Sequence, residues 1–147
     1  MNIIKKIGCR NFVKEIDKNI KVKFQKYDMQ CDVDDEIVYI GKSYNIDTDR
    51  YFMDYVKELS PKCKTPMFLL SILHEIGHIM TWTDDNADLK ETQFALLEMG
   101  YQEGEIDLEE CCNMYFRIPL ESNATIWAIE FAEDHPDLIK KYLWLCE

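Results

Sequence analysis

SILHEIGHIM, residues 71–80, holds two of the three histidines in a chain of 147 residues, four positions apart and with Glu75 beside the first. On a helix, residues four apart stand one turn above each other on the same face, so His74 and His78 can each aim a ring nitrogen at one ion. Glu75 lies one position round the helix, within reach of a water on that ion, where a general base is wanted. The flanking residues, PMFLLSILHEIGHIMTW from 66 to 82, are apolar over most of the circumference. They predict a buried helix opened by Thr65 as N-cap and Pro66 as first residue. Gly77 costs such a helix about 1 kcal/mol relative to alanine, and its missing side chain predicts that another backbone approaches there. Two buried histidines could each be satisfied by a carbonyl. With histidine this rare, the full H-E-x-x-H spacing is better explained by a metal site.

A catalytic site of this kind needs a third protein ligand and leaves a position for water. Asp84 falls where the metzincin pattern places its last ligand, but Thr81 occupies the position where that pattern needs a glycine. His135 precedes Pro136 and reads more simply as a helix boundary. Glu91, Glu109 and Glu110 sit on expected helices, where a solvated face accounts for them. Glu121 opens the helix that starts at Pro119, with Ala124, Trp127 and Ala128 following at i+3, i+6 and i+7. That places a carboxylate and small residues on one face, suited to close helix packing, although a first-turn glutamate also suits the helix dipole. Glu121 is the leading candidate, with Glu109 and Glu110 next.

Working outward, Ile3, Ile7, Val13, Ile16 and Ile20 predict an N-terminal helix over about residues 2–19. KVKFQKY (21–27) alternates as a strand does, and EIVYIG (36–41) is its expected antiparallel partner across the acidic turn CDVDD. From Asp49 onward the pattern is helical: 49 to 60, the histidine helix, 86–99, 108–118 with Asp107 and Glu110 at capping-box spacing, 119–133, and 136–145. The expected class is α+β, mostly helical with a small antiparallel N-terminal sheet, in one domain spanning 1–147.

A net charge of -11 argues against nucleic acid, since phosphate contacts need clustered Lys and Arg. Residues 1–26 nevertheless carry eight Lys/Arg against two Asp/Glu, which fits a solvated helix and edge strand or a docking surface for an acidic partner. No stretch approaches the roughly 18–20 apolar residues of a membrane span, and MNIIKKIGCRNFVKEI lacks the apolar run of a secretory signal. The six cysteines form no Cys-x-x-Cys pair. The expectation is a soluble cytoplasmic protein with reduced, mostly buried thiols and no membrane partner.

H-E-x-G-H in a buried helix, followed by a helix with E-x-x-A-x-x-aromatic-A, resembles the ImmA/IrrE-like zinc peptidases, small gluzincins of mobile elements and their bacterial hosts. The resemblance covers about residues 35–133 and rests on those two motifs. It implies a zincin-like fold, His74, His78 and Glu121 as ligands of Zn2+, Glu75 as catalytic base, and a protein or peptide as substrate. The substrate strand is expected along Val38 to Gly41, with Tyr115, Tyr101 or Arg117 stabilising the oxyanion. The rival expectation is a zinc-stabilised, non-catalytic interaction protein, in which Cys63, Cys111 or Cys112 could close the site as a fourth ligand.

Overall fold

Four helices start where a short polar side chain takes up a free backbone N–H. Asn2 accepts from Lys5, Asn45 from Asp47, Thr83 from Asn86 and Asp107 from Glu110, at 2.8–3.2 Å. Each such cap stabilises its helix by about 1 kcal/mol. In the computed structural model, which describes residues 1–147, the helices are α1 (Ile3–Ile16), α2 (Ile46–Leu59), α3 (Met67–Thr81), α4 (Asp84–Gln102), α5 (Leu108–Arg117), α6 (Pro119–Asp134) and α7 (Pro136–Tyr142). A 3-10 turn, Leu143–Cys146, ends the chain. With three strands they make an α+β fold in which helix predominates. Asn45 and Thr83 start α2 and α4 two to three residues ahead of the periodic pattern. The histidine helix begins one residue later than expected, with Pro66 itself as N-cap and no side-chain cap bond. No helix is long and apolar enough to cross a membrane.

The sheet corrects the sequence reading. It is mixed, in the order β1-β3-β2, where β1 is Lys21–Tyr27, β2 Met29–Asp32 and β3 Ile37–Lys42. β1 and β3 pair in parallel, not antiparallel. The antiparallel partner of β3 is β2, and the acidic turn joins those two, with Asp35 N–H donating to the Asp32 carboxylate at 3.0 Å and Glu36 at φ 52°. The chain leaves β1, crosses the end of β3 and returns on its other side. Asp28 makes the reversal at φ 63°, and the crossing backbone passes so close to Gly41 that a Cβ there would lie 2.4 Å from the Asp28 carbonyl oxygen. β3 is therefore the central strand and β2 an edge.

One apolar cluster joins α1, the sheet, α2, α3, α5, α6, α7 and the 3-10 turn, with Leu69, Leu70, Ile72, Leu73 and Ile76 of α3 fully buried within it. α1 buries only the C-terminal part of its expected apolar stripe: Val13 is buried and Ile16 packs against the core, together with Cys9 and Phe12, while Ile3, Ile4 and Ile7 are exposed and Trp144 and Leu145 pack on the bare backbone at Gly8.

The contact that positions the site is α3 on α6. Ala124, Ala128 and Ala132 bring the α6 backbone close, and a Cβ on Gly77 would lie 2.5 Å from the Ala124 carbonyl oxygen. That is the close approach which the glycine predicted. Gly77→Ala should gain about 1 kcal/mol of helix propensity. Forcing the two backbones apart costs more, about 1–3 kcal/mol or above, so urea unfolding of the variant should show a net loss of stability. A gain would mean that the helices are not in contact at this point.

Candidate metal centre

The α3–α6 contact carries three side chains to one point. Nε2 of His78 lies 2.8 Å, and Nε2 of His74 3.3 Å, from Oε2 of Glu121, and the three form the one group of ligand-type side chains in the chain that could hold a metal ion. His78 and Glu121 are buried, and His74 is half-buried. Despite those short separations Oε2 takes no hydrogen bond, and neither does Nδ1 of His78. The ring nitrogens approach the carboxylate without the alignment of an N–H donor. Three lone pairs facing one point, rather than a donor and an acceptor, is the arrangement a cation completes.

The hydrogen bonds around His74 fix which nitrogen is free. Thr125 Oγ1, one turn past Glu121, donates to the Glu121 carbonyl oxygen at 3.1 Å and so spends its only proton. It lies 3.0 Å from Nδ1 of His74 and must accept there. Nδ1 then carries the imidazole proton and Nε2 keeps its lone pair toward Glu121. Phe52, edge-on at 5.6 Å between ring centroids, holds the ring from the other side.

The charges around Glu121 are arranged unevenly. Oε1 accepts from the Tyr115 hydroxyl at 2.6 Å and from the Lys90 ammonium at 3.0 Å. Burial pushes the Glu121 carboxyl up, but the imidazoles of His74 and His78 more than reverse this and hold it far below the usual carboxylate range. For His74 burial acts downward, and Glu121 and Glu75 outweigh it, so its value is raised. In the absence of an ion a proton relieves the same convergence of lone pairs. Burial, Glu121 and Glu75 all push the Tyr115 phenol up, which keeps it a donor.

Two cavities of about 800 Å³ each meet at this point, His74 lining one and His78 the other. Met29, Gln30, Glu75, Tyr115 and Glu121 line both, so Glu75 stands in the middle of a continuous cleft walled by the edge strand β2. The thiol of Cys31, on that strand, faces Glu75. Burial, the charge and hydrogen bond of Glu75, and the charge of Glu121 push it well above the ordinary cysteine range.

The other candidates lie elsewhere. Glu109 and Glu110 are exposed in the first turn of α5, and Asp84 is exposed at the start of α4. Glu91 is exposed at the rim of the cleft. His135 caps α6, its Nδ1 2.8 Å from the Phe131 carbonyl oxygen. Arg117 pairs with Glu58 on the surface and Tyr101 is exposed. None of the six cysteines joins the group; all are free thiols, Cys9 buried and the other five half-buried. Val38 to Gly41 belong to the central strand, whose two edges are paired to β1 and β2; Tyr39 and Gly41 line the cleft, but the edge strand along it is β2.

Sequence reasoning missed Lys90, Thr125 and Cys31. Thr125 had a signal, since a hydroxyl four residues after a proposed ligand is placed to orient another ligand. Lys90, the lone cation in α4 among five carboxylates, had at most a weak one. No protein-family model, no curated protein and no solved structure matches this chain.

Proposed function

We propose that the chain is a zinc-dependent metallopeptidase of the kind its two motifs resemble, the ImmA/IrrE-like gluzincins, with His74, His78 and Glu121 as ligands and Glu75 as general base. The observation that carries this reading is the convergence of three lone-pair donors beside a glutamate that stands open in a cleft. Two imidazoles and a carboxylate are donors of the borderline type that suits zinc. Zinc bound there supplies Lewis acidity and an acidified water. Glu75 accepts the proton as the peptide carbonyl is attacked and returns it to the leaving amine. β2 offers an open backbone edge to an extended substrate, and cavities on both sides of Glu75 take residues on both sides of the cleaved bond.

The interaction-protein alternative calls for a closed site with a fourth protein ligand. The group stops at three side chains, which supports the catalytic reading. A cytoplasmic setting goes with it, since six unpaired thiols suit a reducing compartment. Purified without chelator, the protein should carry about one zinc per chain and hydrolyse an unfolded protein such as casein, with both lost to a strong chelator. Elemental analysis that finds no metal, and no uptake of added zinc, would remove the reading altogether.

A further inference from the structure

Glu121 presents its two oxygens to different surroundings. Oε2 faces the two imidazoles and takes no hydrogen bond. Oε1 is held by Tyr115 at 2.6 Å and Lys90 at 3.0 Å, and the ammonium also reaches the Tyr115 hydroxyl at 3.3 Å, which closes a ring of three side chains from α4, α5 and α6. None of the three helices is the one that carries the histidines. A cation beside a metal ligand repels the incoming ion, so electrostatics alone would favour a neutral donor at position 90. Its other effect is geometric. To turn Oε1 toward the histidines, Glu121 would have to leave the ammonium and a mostly buried phenol without their acceptor.

We propose that Lys90 is a positioning residue of the metal centre: with Tyr115 it ties down one oxygen of Glu121, so that the carboxylate offers Oε2 alone to an ion held by His74 and His78. One carboxylate oxygen and two imidazoles leave room for water, whereas a glutamate using both oxygens would crowd that position. The inference rests on the metal reading above and adds a determinant of coordination number.

Cobalt(II) in place of zinc tests it, because the visible absorption of cobalt is intense in four-coordinate sites and severalfold weaker when a fifth donor binds. Wild type is expected to give the intense band. Lys90→Met frees Oε1, and its band should fall severalfold at one cobalt per chain, while Lys90→Arg, which keeps a donor on Oε1, should retain the wild-type spectrum. Tyr115→Phe removes the other donor and should shift the spectrum the same way as Lys90→Met, which keeps the test decisive if the lysine variant folds poorly. A loss of stability alone would not change the band. An unaltered spectrum in Lys90→Met or, should that variant not fold, in Tyr115→Phe overturns the role of the clamp and leaves the metal centre standing. A wild-type protein that takes up no cobalt or zinc removes the centre and this inference with it.

Discussion

Glu121→Ala is expected to lower zinc affinity by orders of magnitude while Glu109→Ala and Glu110→Ala leave it unchanged. All three remove one carboxylate from the first turn of a helix, so their effects on net charge cancel in the comparison. Only Glu121 is buried, at 3% exposure, with an oxygen against both imidazoles. Metal that binds the folded chain alone stabilises it by RT ln(1 + [L]/Kd), so a hundredfold loss of affinity removes about 2.7 kcal/mol of zinc-dependent stabilisation when zinc is in excess. The quantity to read is the shift in melting temperature between chelated and zinc-loaded samples of each variant. Glu121→Ala also strands Lys90 and Tyr115 and disturbs the metal-free protein, and the difference subtracts that disturbance. Should the zinc shift survive in Glu121→Ala and disappear in Glu110→Ala, the ligand helix is α5 and the site described here is not the metal centre.

Glu75→Gln is expected to keep one zinc per chain and to lose hydrolysis by about 10²–10⁴-fold, the usual contribution of a positioned general base. Glu75 does not belong to the ligand group, and glutamine has nearly the same shape, so metal content should not move. Hydrolysis measured at equal zinc content separates the outcomes: retained turnover means that Glu75 is not the base, and lost metal means that it is a ligand.

The histidine pair and its glutamate were legible because their relation is local. Spacing along one helix determines that His74 and His78 share a face and that Glu75 lies beside them, whatever the helix packs against. Gly77 was legible for a related reason, since a helix-breaking residue in an apolar helix needs a neighbour that requires it, and Ala124 is that neighbour. α1 shows where such reasoning fails. Its periodicity predicts an apolar stripe along the whole helix, but only the C-terminal part of that stripe is buried, and Trp144 and Leu145 pack on the bare backbone at Gly8.

By itself, then, the sequence determined what depends on near neighbours: the helix periods, the polar cap at Asp107, and the motif within α3. Only the tertiary structure decided what depends on contacts between distant segments. β2 is only four residues long, Met-Gln-Cys-Asp, too short for its alternation to stand out, and which side of β3 it takes depends on a reversal at the single residue Asp28. Glu121, Glu109 and Glu110 are alike as first-turn glutamates, and Glu121 meets the histidines because Ala124 and Ala128 bring α6 against α3 while α5 leaves its first turn in solvent. Lys90, Thr125 and Cys31 are polar residues whose roles are defined entirely by what stands opposite them: Oε1 of Glu121, Nδ1 of His74 and the carboxylate of Glu75. A side chain's spacing is written in its own segment, whereas its partner is chosen by packing, and a metal site assembled from two helices requires both.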